Sequence, residues 1–354
     1  MTRRAPFLDR RQFVRAGVAA CIAGSWPAAG RAKEPRPAFL TRGVVLVPSD
    51  LSLGDWPERA KRAGLSTISL HHGISPKEVI RAVESDEGKK FLDTCRRLGL
   101  EVEYELHAMS ELLPRNRFAK DPALFRMNDR GERTADANVC VHSKPALDLI
   151  AERAASLCKT LRPTTGRYFL WGDDGKPWCR CEKCRGLSDS DQALMLANHL
   201  WKVLKGEDDK ARVAHLAYAN TLAVPKEIKP AEGVFLEFAP INRRYDVPYA
   251  KQTGATDRDG LAMLDANLKL FPAATAQVLE YWLDVSRVSK WTRPSAKLSW
   301  DKEVFLADVE MYAARGILHV TTFAAWVDAD YAKRHGEPTF VAEYGAGLRS
   351  PEKD

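Results

Sequence analysis

Eight short runs of apolar and β-branched residues recur along this chain, with amphipathic segments between them, and no other feature restricts the fold as strongly. The runs are "GVVLVP" (43–48), "TISLHH" (67–72), "EVEYELHA" (101–108), "RYFLWG" (167–172), "VAHLAYA" (213–219), "VFLEFA" (234–239), "QVLEYWL" (277–283) and "ILHVTTFA" (317–324). Near-continuous apolar runs of this length fit parallel strands buried on both faces. The segments between them carry helical periodicity, as in "SKPALDLIAERAASLCKTL" and "WDKEVFLADVEMYAARG", and several end in a capping glycine: Gly64, Gly99 and Gly316. Eight strands with intervening helices predict an α/β chain folded as a single-domain (β/α)8 TIM barrel over residues 40–350. No Gly-x-Gly-x-x-Gly follows the first strand and no Gly-Lys-Ser/Thr loop occurs, so a nucleotide-binding sheet has no support.

The first 32 residues read as an address. Arg10 and Arg11 precede Phe13, a short Ala- and Gly-rich apolar stretch and small residues ending at Ala32. This is the pattern of a twin-arginine signal peptide, and it predicts a periplasmic or secreted protein. The apolar stretch is too short to span a bilayer. Setting aside this segment's six Arg and one Asp leaves 48 basic and 46 acidic residues, a net charge of +2 rather than +7. No basic stripe remains, so a nucleic-acid partner is not expected.

In such a barrel the reacting groups sit at the C-terminal ends of the strands. Those ends carry His71 and His72, His107 and Glu111, Trp171 with Asp173 and Asp174, Tyr218 and Asn220, Glu237, then Glu280, Tyr281, Trp282 and Asp284, and finally Trp326 and Asp328. Carboxyl groups among aromatic faces suit hydrolysis of a glycosidic bond: one acid protonates the leaving oxygen, one carboxylate acts as nucleophile or activates water, and rings stack on sugar. The stretch "GDDGK" also reads as a tight turn, which would use one of the two aspartates structurally. Two other functions fit the same ends. One is a non-catalytic carbohydrate-binding barrel; the other is a metal-dependent hydrolase using His71, His72 and His107 with Asp173.

Behind the paired aspartates come Cys179, Cys181 and Cys184. With Cys140 or His142 as a fourth ligand they could hold a structural zinc ion, provided that the long segment 109–148 folds back over them. In an exported protein two of them could instead form a disulfide. Cys95 and Cys158 fall on apolar helix faces and read as buried thiols. No cofactor is expected for catalysis.

"WGDDGKPWCRCEKCRG", the following helix "SDQALMLANHLWKVLK" and the preceding "PRNRFAKDPALFRMNDRGERTADANVCVHSKPALDLI" resemble the family known as domain of unknown function 4838. The resemblance runs over about residues 42–345. Its most specific parts are the Asp-Gly-x-x-x-Cys-x-Cys-x-x-Cys loop and the Asn-x-Cys-x-x-x-x-Pro stretch. It implies a carbohydrate-active barrel similar to family-20 hexosaminidases and family-67 α-glucuronidases. The hexosaminidase Asp-Glu pair would fall on Asp173 and Asp174, where the second residue is Asp, one methylene shorter than Glu. The α-glucuronidase arrangement would place an acid at Asp173 or Asp174 and base carboxylates at Glu237 and Glu280, and this is the preferred expectation. His71, His72, His107, Trp171, Asn220, Trp282 and Trp326 would then bind the sugar.

Overall fold

A computed structural model describes residues 39–252 and 260–349; the twin-arginine segment lies outside the described residues. Eight strands, β1 (Thr41–Leu46), β2 (Thr67–His72), β3 (Glu101–His107), β4 (Arg167–Trp171), β5 (Arg212–Ala217), β6 (Val234–Phe238), β7 (Gln277–Glu280) and β8 (His319–Phe323), pair in chain order into a closed barrel. Every pairing is parallel, including the seam where Thr41 stands opposite His319. The expected (β/α)8 barrel is therefore the fold. β7 stops three residues short of the expected run.

The helices are α1 (Trp56–Ala63), α2 (Pro76–Glu84), α3 (Asp86–Leu98), α4 (Met109–Leu112), α5 (Lys144–Thr160), α6 (Asp189–Glu207), α7 (Leu261–Leu268), α8 (Val285–Val288), α9 (Lys302–Ala314), α10 (Ala329–His335) and α11 (Phe340–Leu348). In several of them a capping side chain accepts from the free N–H groups of the first turn. Ser85 accepts from Gly88 N, Asp301 from Val304 N, and Ser188 and Asp191 form a reciprocal capping box on α6. α11 lies so close to α1 that a Cβ on Gly345 would sit 2.1 Å from the Ala63 carbonyl oxygen, so only glycine fits there.

Alternation along each strand divides the core in two. Outward side chains such as Val44, Ile68, Leu70 and Val278 pack under the helices. Inward ones, Val45, Phe169, Trp171, Phe235, Leu279, Tyr281 and Phe323, fill the barrel. Below this apolar layer the interior is charged. Glu103, Glu105, Glu237 and Gln277 are buried beside the nearly buried Arg167, with Arg167 Cζ 3.9 Å from the centre of the Phe235 ring and Arg167 Nε 3.8 Å from Glu103 Oε1. Burial, reinforced by Glu103, pushes the Glu105 carboxyl up to about 8. Among the described residues no helix is long and apolar enough to cross a membrane.

Candidate active site

A cavity of about 560 Å³ opens at the C-terminal ends of the strands. Its walls hold His71 and His72 from the end of β2, His107 from β3, Trp171 from β4 with Asp174 beyond it, Tyr281 and Asp284 after β7, and Phe323 from β8 with Trp326 beyond it. The rings interlock. His107 stands edge-on to Trp171 at 5.1 Å, His71 edge-on to Phe323 at 4.9 Å, and Tyr281 stacks on Phe323 at 5.2 Å.

The two histidines are held in one tautomer by carbonyls, which can only accept. His71 Nδ1 donates to Glu105 O at 2.8 Å and His107 Nδ1 donates to Gly172 O at 2.7 Å, leaving Nε2 of each as an acceptor. Burial holds the His71 ring down to about 3, so it is neutral across the physiological range. Burial lowers His107 too, against the opposing pull of Asp174, whose Oδ1 lies 3.8 Å from His107 Nε2.

The adjacent aspartates lie in a tight turn, closed by the Lys176 N–H donating to Asp173 O at 3.2 Å, and have different surroundings. Asp173 accepts from Arg115 and from the Asn138 N–H at 2.5 Å, while its own N–H donates to Asn138 Oδ1 at 2.8 Å. It is a loop pin. Gly172 makes this approach possible, since a Cβ there would fall 2.8 Å from Asn138 Oδ1. Asp174 has a half-exposed side chain, 51% accessible, and faces the cavity. On the far side, Asp284 is buried at the cavity wall. Its Oδ1 accepts from Ser286 Oγ at 2.6 Å and from Arg287 N at 3.1 Å, and burial raises its pKa despite those donors. The Tyr281 phenol lies in the field of both Asp284 and Asp174, and burial pushes it well above its usual range.

Several expected residues are elsewhere. Glu280 does not reach the cavity: it points outward from β7, where Arg243 Nε lies 3.2 Å from its carboxylate and Tyr312 donates to Oε1 at 2.5 Å. Trp282 points the same way, donating to Asp308 at 3.1 Å and packing edge-on against Phe305, so it is a core residue. Since β7 is buried on both faces, its sequence alternation does not reveal which set faces inward; Leu279 and Tyr281 do. Glu237 is inside the barrel but one layer below the cavity, accepting from Trp171 Nε1 at 2.9 Å and Gln277 Nε2 at 3.2 Å. Asn220 ties two loops together by donating to Lys176 O and to Asp189 Oδ2. Asp328 caps α10 and pairs with Arg293, and Glu111 pairs with Arg153.

His71, His72 and His107 with Asp173 do not form a metal site. His72 Nδ1 accepts from the N–H groups of Ile74 and Ser75, and Asp173 is committed to Arg115 and Asn138. Among the described residues the one cluster of metal-binding type is Cys140, Cys179, Cys181 and Cys184. The long segment 109–148 does reach the loop after β4, through Asn138, Arg115 and the Arg180 N–H to Met127 O bond at 2.8 Å. It braces that loop; none of its residues lines the cavity.

The rim adds two residues that strand ends do not reveal. Ile74 (79% exposed) and Trp291 (64% exposed) stand at the opening, and large apolar side chains left in water beside a cavity mark a binding surface. Trp291 and Trp326 both hold left-handed backbone, at φ 54° and 69°. Bulky residues adopt this only where neighbours enforce it. Asp50 Oδ1 does so at Trp326 by accepting its N–H at 2.9 Å, and Arg293 covers the ring at 4.3 Å.

Residues 67–270, more than half of the chain, match the family described as Domain of unknown function (DUF4838). Compared with curated proteins, the chain has no match in sequence. Among solved structures it is similar to a catalytic mutant of a GH42 beta-galactosidase from G. stearothermophilus, with a TM-score of 0.54 and 14% identity over 90% of this chain and 58% of that one. It is similar also to a beta-galactosidase from Rahnella sp. R3, with a TM-score of 0.55 and 15% identity over 89% of this chain and 57% of that one. The chain thus spans under three-fifths of the length of either, and at these identities the likeness concerns the fold.

Proposed function

The chain belongs to the DUF4838 family, and from that premise we propose that it is an exported glycoside hydrolase acting on an oligo- or polysaccharide, with Asp174 and Asp284 as its carboxylate pair. The observation that carries this reading is the placement of both carboxylates in one ring-lined cavity, after β4 and after β7. The beta-galactosidase neighbours lend the proposal their chemistry by analogy of fold.

Each group has a task. Asp284, whose hold on a proton burial strengthens, is placed to give a proton to the leaving glycosidic oxygen. Asp174, open to solvent, acts on the opposite face of the ring, and His107 Nε2 beside it takes up or returns a proton as charge develops. The net change adds water across the C–O bond and regenerates both carboxyl groups. Trp171, Tyr281, Trp291 and Trp326 offer faces to sugar rings. Residues 1–32 support export by the twin-arginine route to the periplasm.

The test is a screen of the purified protein against aryl glycosides and natural oligosaccharides, repeated with Asp174→Asn and Asp284→Asn. Turnover that both variants abolish is expected. Sugar binding without turnover in the unmodified protein would instead establish a carbohydrate-binding barrel.

A further inference from the structure

Cys140 approaches on the segment before α5, while Cys179, Cys181 and Cys184 sit on the loop after β4, and all four are buried. Their ligand atoms lie within 4.8 Å of one another, with Cys140 Sγ 3.7 Å from Cys181 Sγ and 3.9 Å from Cys184 Sγ. A disulfide would need about 2.05 Å and would join only two of the four. Four sulfurs arranged tetrahedrally about a zinc ion at about 2.3 Å are about 3.8 Å apart, which the two Cys140 spacings match.

The surroundings suit thiolates. Met127 N–H approaches Cys179 Sγ at 3.3 Å and Cys181 N–H approaches it at 3.5 Å, with Arg133 Nη1 at 3.7 Å; His142 Nδ1 lies 3.2 Å from Cys184 Sγ. Four thiolates around a divalent ion leave a net charge of about −2, which these donors and the Arg133 cation offset. His142, an alternative fourth ligand by sequence, is better placed as a neighbour of Cys184.

We propose that Cys140, Cys179, Cys181 and Cys184 bind one zinc ion in a closed structural site that fastens the β4 loop to the segment before α5. Binding releases the thiol protons, and four protein ligands leave no open position for substrate or water. The fastening bears on the cavity because Asn138, two residues before Cys140, makes the paired hydrogen bonds that fix Asp173, next to Asp174. The ion would be a staple that sets where Asp174 stands, without touching the sugar.

The experiment is elemental analysis of the full chain combined with titration of its thiols, the released metal being read by a chromogenic chelator. About one zinc per chain is expected, released as about four thiols react. Cys140→Ser and Cys181→Ser should lose the metal, whereas Cys95→Ser and Cys158→Ser should keep it. Because the serine variants could fail to fold, the unmodified protein is also loaded with cobalt, whose visible absorption reports tetrahedral thiolate coordination. Folded protein without metal, whether its four sulfurs titrate as free thiols or as two disulfides, overturns the proposal. None of these readouts needs turnover, so the zinc site and the hydrolase reading fail separately.

Discussion

His107 Nε2 lies 3.8 Å from Asp174 Oδ1 while His107 Nδ1 donates to the Gly172 carbonyl. The second ring nitrogen therefore faces the carboxylate with its lone pair, and the charge of Asp174 favours a proton on His107. Under the hydrolase reading, Asp174→Asn should lower kcat/KM by roughly 10²- to 10⁴-fold and His107→Ala by about 10²-fold. The double variant should be little worse than Asp174→Asn alone, because the residues act as a unit. Fully multiplicative losses in a kinetic double-mutant cycle would show that they act independently.

Asp284 is assigned the acid role because burial raises its pKa. Loss of an acid matters most when the leaving group is poor. Asp284→Asn should therefore cost about 10³-fold on a natural oligosaccharide but only about tenfold on a nitrophenyl glycoside. The same pattern found for Asp174→Asn would exchange the two roles.

Glu280 and Arg243 form a fully buried pair, with Asp308 2.5 Å from the other side of the guanidinium and the Tyr245 ring 4.2 Å from its Cζ. Neutralising Glu280 removes one of the two carboxylates that balance the Arg243 cation in the core. Glu280→Gln should cost about 3 kcal/mol of folding stability in denaturant titration, with KM unchanged in the folded protein. A change in substrate affinity at unchanged stability would restore Glu280 to the site.

The interior carboxylates give stability a pH dependence. Glu105 titrates at about 8 when folded against 4.5 in the unfolded chain. Between those values the folded state holds the extra proton, so its contribution is full below about 4.5 and is lost as pH rises through about 8. Stability should fall by up to about 1.4 kcal/mol per pH unit in that window. Glu105→Gln should flatten this slope and raise the melting temperature at pH 8; an unchanged slope would mean that Glu105 is ionised in the fold.

Trp291 is exposed at the rim, whereas Trp282 is packed under α9. Trp291→Ala should weaken sugar binding about tenfold, or about 1.4 kcal/mol, with the melting temperature preserved. Trp282→Ala should cost about 3–5 kcal/mol of stability through the void it leaves. Calorimetric binding and thermal unfolding of both variants separate these effects.

The architecture was legible because barrel strands are buried on both faces and therefore stand out as apolar runs. That same property hid the direction of side chains. Within "QVLEYWL" polar residues fall on both faces, Gln277 inside the barrel and Glu280 outside it, so Glu280 and Trp282 read as well as Tyr281 for the cavity, and the choice is made by register with β6 and β8. Asp284 was visible at the strand end, yet it also looks like the helix cap that it is. Glu103 and Glu105 alternate with apolar residues along β3; pairing with β4 brings them beside Arg167, and curling of the sheet into a barrel brings them to Glu237. The cysteine cluster was half legible: three of its thiols are local, while Cys140, one of two candidates for the fourth place, comes from across the 109–148 segment.

The barrel's seam has a temporal meaning. Thr41 Oγ1 meets His319 Nδ1 at 2.7 Å, Trp326 N–H reaches Asp50, and Tyr344 donates to Gly43 O, joining positions 278, 276 and 301 residues apart. A chain still being synthesised exposes β1 with no β8 to cover its edge, an invitation to wrong pairing. The cylinder can close only after nearly all of the polypeptide has emerged. Under the twin-arginine reading, the receiving compartment takes in a finished object, through a gate wide enough for the whole barrel.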